Sequence, residues 1–270
     1  MMSSEEFLVV GLGEALFDVF DRRKRLGGAP LNVAVQAHQL LRERGGAGVV
    51  VSRVGDDDLG REIRDELKQR TMTDRYLQVD PQRPTGTVQV TLQEGEPSYE
   101  IVRDVAWDAL ELDAATRELA TRCSAVCYGT LAQRAERSRH CIGRFVERAT
   151  GAIRLFDVNL RQDFYGAEVI RRSCELASVV KLNEGELPEV VRLLGLDDGE
   201  STARKASEEH LDAQVEILRK QFQLDAVALT RGARAPRGIP PAGEQPDRAS
   251  TTTGTATPTA SGPATPAVPG

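Results

Sequence analysis

The sequence predicts an α/β fold: a three-layer sandwich in which a mostly parallel central sheet lies between helices. Three observations predict it. Short apolar runs, such as Phe7-Leu8-Val9-Val10 and Val49-Val50-Val51, alternate with longer stretches of helical periodicity. These runs are apolar throughout, as suits strands buried on both faces. The alternation breaks once, at residues 86–102, where two β-rich runs flank Glu94-Gly95-Glu96-Pro97 and form an antiparallel hairpin.

In chain order, the first strand covers residues 7–10 and ends at Gly11-Leu12-Gly13. A helix follows at about 31–44, with Val33, Ala34, Ala37, Leu40 and Leu41 on one face. Val49 to Val51 is the second strand. The segment 58–69 is a helix carrying Leu59, Ile63 and Leu67 at helical spacing. After the hairpin, strands are expected at 125–128, 153–158, 179–182 and 226–229, and helices at 138–150, 167–176, 186–194 and 208–222. Strands joined through helices in this order make a parallel sheet. The organisation is then one domain over residues 1–232 and a tail over 233–270. In that tail 30 of 38 residues are Ala, Pro, Gly, Ser or Thr, and Ile239 and Val268 are its only large aliphatics. So little apolar surface cannot offset an ordering entropy of roughly 1–2 kcal/mol per residue, and the tail is expected to be disordered.

Composition excludes several function classes. The 270 residues are 40% apolar and 28% charged, with a net charge of −6, which argues against a basic nucleic-acid-binding surface. No apolar run approaches the roughly 20 residues that span a bilayer, so no membrane partner is expected. The first six residues carry Glu5 and Glu6 and no basic segment, unlike a secretory signal. Cys123, Cys127, Cys141 and Cys174 match no zinc or redox spacing and are expected to be reduced, buried thiols of a cytoplasmic protein. The third glycine of a dinucleotide fingerprint is missing after Gly11-Leu12-Gly13, and no Gly-x-Ser-x-Gly elbow occurs. His38, His140 and His210 all fall in predicted helices.

Three clusters could carry chemistry. Gly11-Leu12-Gly13-Glu14-Ala15-Leu16-Phe17-Asp18 follows the first strand, where ligands of open α/β sheets bind, so Glu14 and Asp18 are placed to meet one. A carboxylate can accept from two sugar hydroxyls at once. Gly27-Gly28-Ala29-Pro30-Leu31-Asn32 opens a helix, where glycines permit close backbone approach and free first-turn N–H groups favour polar ligands. Val54-Gly55-Asp56-Asp57-Asp58-Leu59-Gly60 opens the next helix. Its acids read as helix caps, since the spacing is not that of a calcium loop.

Taken in this order, the clusters resemble the ribokinase-type carbohydrate kinases, also called the PfkB family, and within it the fructokinase-like branch. That branch's Gly-Glu-x-x-x-Asp start is matched by Gly13, Glu14 and Asp18, its Gly-Gly-Ala-Pro-x-Asn-Val-Ala by residues 27–34, and its Val-Gly-x-Asp-x-x-Gly by Val54, Gly55, Asp57 and Gly60. Asp157-Val158-Asn159-Leu160-Arg161 resembles the family's Asp-x-Asn-x-Arg. Asn183 to Glu186 is similar to its Asn-x-x-Glu, and Leu229-Thr230-Arg231-Gly232 to its Leu-Thr-x-Gly. The resemblance covers residues 7–233.

The resemblance implies a ribokinase-like sandwich with the hairpin at about 85–103 as a small β lid. It implies phosphoryl transfer from ATP, with Mg²⁺, to a sugar hydroxyl, a fructose-like ketohexose being favoured. By the same resemblance Asp18, Gly28, Asn32, Arg103 and Arg161 hold the sugar. Asn183, Glu186, Thr230 and Gly232 serve the nucleotide and Glu186 the metal, and the lid hairpin pairs two subunits. In the family the general base is the Asp of a Gly-Ala-Gly-Asp turn. That sequence does not occur here, so no catalytic residue is assigned and activity is expected to be absent or severely impaired. The fold is accordingly expected to be incomplete on its C-terminal side, with the strand at 226–229 at an open sheet edge. Two alternatives accompany the kinase assignment: a sugar-binding relic, or the product of a shifted reading frame. The latter is expected to reveal a Gly-Ala-Gly-Asp-like segment when the two other frames downstream of codon 232 are translated.

Overall fold

Alternation along one strand divides the molecule into its layers. The computed structural model describes residues 7–20, 23–93, 96–196, 208–231 and 234–239. Its strands are β1 (Phe7–Leu12), β2 (Leu16–Phe20), β3 (Arg23–Gly27), β4 (Gly46–Gly55), β5 (Leu77–Asp80), β6 (Gly86–Gln93), β7 (Glu96–Ile101), β8 (Ala125–Gly129), β9 (Ile153–Asp157), β10 (Val179–Asn183), β11 (Ala226–Arg231) and β12 (Arg234–Ile239). Its helices are α1 (Ala29–Leu41), α2 (Asp58–Gln69), α3 (Ala114–Arg122), α4 (Glu136–Arg148), α5 (Ala167–Leu176), α6 (Glu186–Leu194) and α7 (Glu208–Gln221). On β4, Val49 and Val51 join a core with buried residues of α3 to α7, while Val50 and Val54 join a second core with Leu31 and Ala34 of α1 and Ile63 and Leu67 of α2. A period of two sends neighbouring side chains to opposite helix layers.

The eight-stranded sheet runs β12-β11-β10-β9-β8-β1-β4-β5, parallel except for the β11–β12 pair. This is the expected α/β fold with a mostly parallel sheet. Helix α1 lies unusually close to it. A Cβ on Gly11 would fall 1.9 Å from the Pro30 carbonyl oxygen, and one on Gly48 would fall 1.8 Å from that of Ala34, so only glycine permits this contact. The α1-side face of β9 to β11 is less covered: Leu155, Val179 and Ala228 are half-buried and Ile153 is 54% exposed.

The lid is larger than the predicted hairpin. Strands β6 and β7 do pair antiparallel, but β2 and β3 join them in a four-stranded sheet of order β3-β2-β6-β7. Both roots of the hairpin are tied to the body. At one root, Asp57 caps α2 by accepting from Gly60 N (2.8 Å) and also accepts from Thr85 N (2.8 Å) and Thr85 Oγ1 (2.6 Å). Burial opposes the Asp57 charge, but these donors outweigh it and hold the carboxyl below its ordinary range. Asp57 is therefore the structural acid of this cluster, in the role the capping argument expects. At the other root, Arg134 pairs with Asp108 through two 2.8 Å bonds and donates to the Val102 carbonyl at 2.6 Å. Its guanidinium lies 4.0 Å from the buried Trp107 ring.

The expected disorder from residue 233 fails for six residues. Arg234–Ile239 forms β12, antiparallel to β11, so the open edge lies one strand further out than expected. Backbone pairing, which needs no apolar side chain, accounts for the difference. The register shifts between Leu229 and Arg231, so Ala235 and Pro236 together face Thr230. Such a bulge on an edge strand tolerates a proline. Residues 240–270 lie outside the described part of the chain. All four cysteines are free and buried, and burial pushes their thiols up to about 11 for Cys123 and about 12 for Cys127, Cys141 and Cys174. No helix among the described residues is long and apolar enough to cross a membrane.

Replacing Arg134 by Met would leave Asp108 buried without its partner. The expected loss is about 3–5 kcal/mol in urea denaturation. A loss below about 1 kcal/mol would show that this pair does not hold the lid root.

Candidate functional site

The carboxyl ends of β1, β9, β10 and β11 share one edge of the sheet, and the predicted clusters meet there. The chain leaves β1 through Gly13, Glu14 and Ala15 and turns into the lid as β2. Gly28 closes the turn opposite, with φ 107°, and a Cβ there would lie 2.4 Å from the Glu14 carbonyl oxygen. The left-handed conformation and the contact both demand glycine.

Glu14 is buried behind that turn, 2% exposed. Its Oε1 accepts from Ala29 N at 3.2 Å, and its Oε2 is buried with no hydrogen-bond partner. Burial pushes the carboxyl up to about 7; the bonds from its own N–H and from Ala29 oppose the rise, Asp157 adds to it and Arg161 opposes it. The first turn of α1 is thus less open to ligands than its sequence suggests. The Ala29 N–H is taken by Glu14, Asn32 N bonds the Gly28 carbonyl at 2.9 Å, and Pro30 has no N–H. The Asn32 side chain itself is exposed.

Asp18 sits on β2 beside Gly27, where a Cβ would lie 2.9 Å from Asp18 Oδ2. Burial raises its carboxyl, against the opposing charges of Arg25 and Arg161. Arg161 is exposed, with a 3.2 Å bond to the Leu160 carbonyl, and its charge acts on both Asp18 and Glu14. It is presented by a tight loop in which Asn159 (φ 43°) and Gln162 (φ 48°) are left-handed, a conformation Asn tolerates well. Arg103 behaves differently. Asp163 takes its guanidinium at 3.1 and 3.2 Å, and it lies 4.4 Å from the Phe164 ring. The structure thus engages Arg103 in tying the lid's end to the Arg161 loop. Gln162 makes a second tie, donating to the Tyr99 carbonyl at 2.6 Å.

On the predicted nucleotide side, Asn183 and Glu186 form a reciprocal capping box. Asn183 Oδ1 accepts from Gly185 N and Glu186 N at 2.9 Å each, and Glu186 Oε2 accepts from Asn183 N at 2.8 Å. Glu186 Oε1 accepts from Leu160 N at 2.9 Å, so this box also anchors the Arg161 loop. Thr230 neighbours Asn183 in register, and its Oγ1 donates to the Leu182 carbonyl at 3.4 Å. Gly232 lies outside the described residues. No group of three ligating side chains that could hold a metal occurs among the described residues.

Sequence reasoning missed the Asp157–Lys181 pair, Oδ1 to Nζ at 2.7 Å across β9 and β10. A lysine inside the apolar run Val179-Val180-Lys181-Leu182 was the available signal. It also gave Glu14 no task beyond meeting a ligand, because burial by α1 is a long-range effect.

Comparison with known proteins agrees with this geometry. Residues 4–236 match the model of the pfkB family carbohydrate kinases. An uncharacterized sugar kinase of Pyrococcus horikoshii is 29% identical over 198 residues, covering 67% of this chain and 63% of that protein. Fructokinase-1 of Oryza sativa subsp. japonica is 29% identical over 218 residues, 73% of this chain and 66% of the relative, and a fructokinase of Klebsiella pneumoniae is 32% identical over 188 residues, 65% and 60%. The chain thus spans less than two thirds of the length of these relatives. Among solved structures, apo fructokinase from Vibrio cholerae superposes with a TM-score of 0.68 at 27% identity, covering 90% of this chain and 80% of that one. The P. horikoshii kinase in complex with ATP superposes at 0.66 and 26% identity, covering 87% and 74%.

The buried Glu14 predicts how stability varies with pH. Its carboxyl lies near 7 in the fold, above the ordinary 4.5, so its proton stabilises fully below about 4.5 and the contribution is lost as pH rises through about 7. Glu14→Gln removes this dependence. From pH 5 to pH 8 the variant is expected to gain about 2–3 kcal/mol relative to the parent, read by urea denaturation at each pH.

Proposed function

The chain belongs to the pfkB family of carbohydrate kinases, and from that premise we propose that it binds a fructose-like ketohexose and ATP, with phosphoryl transfer to a sugar hydroxyl as the family reaction. One observation carries the sugar half: at the end of β1 the Gly27-Gly28 turn lies against both Asp18 and the Glu14 carbonyl. Asp18 would accept hydrogen bonds from sugar hydroxyls, Arg161 would donate them, and Asn32 would reach in from the first turn of α1. Fructose is favoured because the rice, Klebsiella and Vibrio relatives are fructokinases. The ATP half rests on the P. horikoshii kinase solved with ATP.

In the transfer, the sugar hydroxyl gives up its proton to solvent, its oxygen bonds to the γ-phosphorus, the bond from that phosphorus to the β–γ bridging oxygen breaks, and ADP leaves. Asn183, Glu186 and Thr230 border the nucleotide side. Mg²⁺ would supply charge neutralisation at the phosphates. Glu186 would be the acid offered to the metal, and both its oxygens already accept a backbone N–H. The same reading pairs two copies through the lid, where Phe20 and Tyr99 are exposed. A second reading is sugar binding without transfer.

Calorimetry with D-fructose, and ADP release with fructose, ATP and Mg²⁺, test both. Fructose binding with ADP release supports the kinase; binding alone supports the second reading; no binding of fructose or related ketohexoses overturns the sugar assignment. Asp18→Asn is expected to weaken fructose binding by at least about tenfold, as for a lost bond to a charged acceptor, with ATP binding unchanged.

A further inference from the structure

We propose that the groove between α3 and α4 binds a small phosphorylated molecule, with the guanidinium groups of Arg117 and Arg148 taking its phosphate. The groove shares no residue with the sugar or nucleotide groups above, so the proposal stands apart from that reading.

The groove is a cavity of about 420 Å³ bounded by residues 110–112, α3 and α4. Its charge is one-sided. Arg117 comes from α3, and Arg137, Arg144 and Arg148 come from one face of α4, at spacings of seven and four residues. Glu111 is the one carboxylate in the lining among the described residues. Arginines thus exceed carboxylates by three there, in a chain whose net charge is −6.

Two of the four arginines are neutralised: Arg137 by Glu111, and Arg144 by Glu147 at 2.9 Å. Arg117 and Arg148 have no carboxylate partner among the described residues. They donate to the Leu112 carbonyl at 2.9 Å and the Arg144 carbonyl at 3.3 Å, each through Nη1 alone, so most of their donors remain open. Local electrostatics do not account for them. Arg117 sits in the first turn of α3, where the helix dipole disfavours a cation, and the capping Asp113 accepts from Thr116 instead. Arg148 suits the end of α4, but it follows Arg144 by four residues, a spacing at which like charges repel. A bound anion relieves both.

The planar guanidinium fork matches phosphate oxygens. A phosphate monoester carries about −1.5 to −2 charges at pH 7, which two unpaired arginines balance. The cavity is larger than one phosphate and within the range of small-molecule sites. Buried Leu110 and Cys141 and half-buried Leu112 offer its organic part an apolar wall.

Amide resonances of the full chain, followed as inorganic phosphate replaces chloride at constant ionic strength, test this. Leu112, Arg117 and Arg148 are expected to shift and saturate, with Kd on the order of 1 mM. Arg117→Gln and Arg148→Gln are each expected to weaken binding at least about tenfold. Arg122→Gln is expected to change nothing, since Arg122 lies on α3 outside the groove and pairs with Glu118 at 3.2 Å. Succinate, a dianion without the tetrahedral oxygens, is expected to bind at least about tenfold more weakly than phosphate. Groove shifts that fail to saturate, or that survive undiminished in R117Q and R148Q, would overturn the proposal. So would an equal loss in R122Q, which marks general surface charge, or equal binding of succinate. Phosphate that moves only Gly185 and Glu186 binds on the nucleotide side, and that outcome also sinks the groove.

Discussion

The contact of α1 with the sheet at Gly11 and Gly48 fixes everything that happens at the carboxyl edge. Two missing Cβ atoms let the helix backbone rest on β1 and β4, with Pro30 over Gly11 and Ala34 over Gly48. A helix held that close cannot slide, because close-packed interiors do not deform smoothly. Its N-terminus therefore falls beside the end of β1 and closes over Glu14. The buried carboxyl, the Gly28 turn and the exposed Asn32 all follow from this one approach distance. The lid follows too: the chain that leaves Glu14 becomes β2, and the chain that returns as β3 ends at Gly27.

A second level of organisation connects the two halves of the site. Glu186 belongs to the predicted nucleotide side, yet one of its oxygens holds Leu160, next to Arg161 on the sugar side. The same loop receives the lid through Arg103 with Asp163 and through Gln162 with the Tyr99 carbonyl. Residues 159–163 thus meet the capping box of α6, the end of the lid and the charge of Asp18. The loop that carries Arg161 is thus tied to the end of the lid.

The amino-acid sequence reveals the sheet better than the lid, for a physical reason. Strands buried on both faces, such as Val49 to Val51, must be apolar throughout and stand out. Strands β2 and β3 lie in a sheet with solvated positions and read as Leu-Phe-Asp-Val-Phe and Arg-Lys-Arg-Leu-Gly, charged enough to pass for loop. Helix α3 escaped because Leu119 and Ala120 are its only buried apolar residues, although Asp113 accepting from Thr116 N at 2.8 Å is an ordinary cap signal. Around the end of β1, short-range motifs single out Gly28, whose left-handed φ of 107° and contact with the Glu14 carbonyl demand glycine. They leave no trace of the pairing of Arg103 with Asp163, which lies 60 residues away.

Two carboxylates at helix N-termini show why the charge of Glu14 had to await the fold. Asp57 and Glu14 do the same local work, accepting from the first turns of α2 and α1. A helix N-terminus favours a negative charge, so sequence alone assigns both an ordinary carboxylate. The structure separates them by counting donors. Asp57 receives the Gly60 N–H, the Thr85 N–H and the Thr85 hydroxyl, and together these outweigh its burial. Glu14 has one oxygen with no donor at all, lies deeper and meets Asp157, so burial prevails. The donors to Asp57 come from its own helix and from the root of the lid, and they leave it a fixed structural charge. The donors to Glu14 stop at its own backbone and Ala29, so the burial of its carboxyl at the end of β1 goes uncompensated.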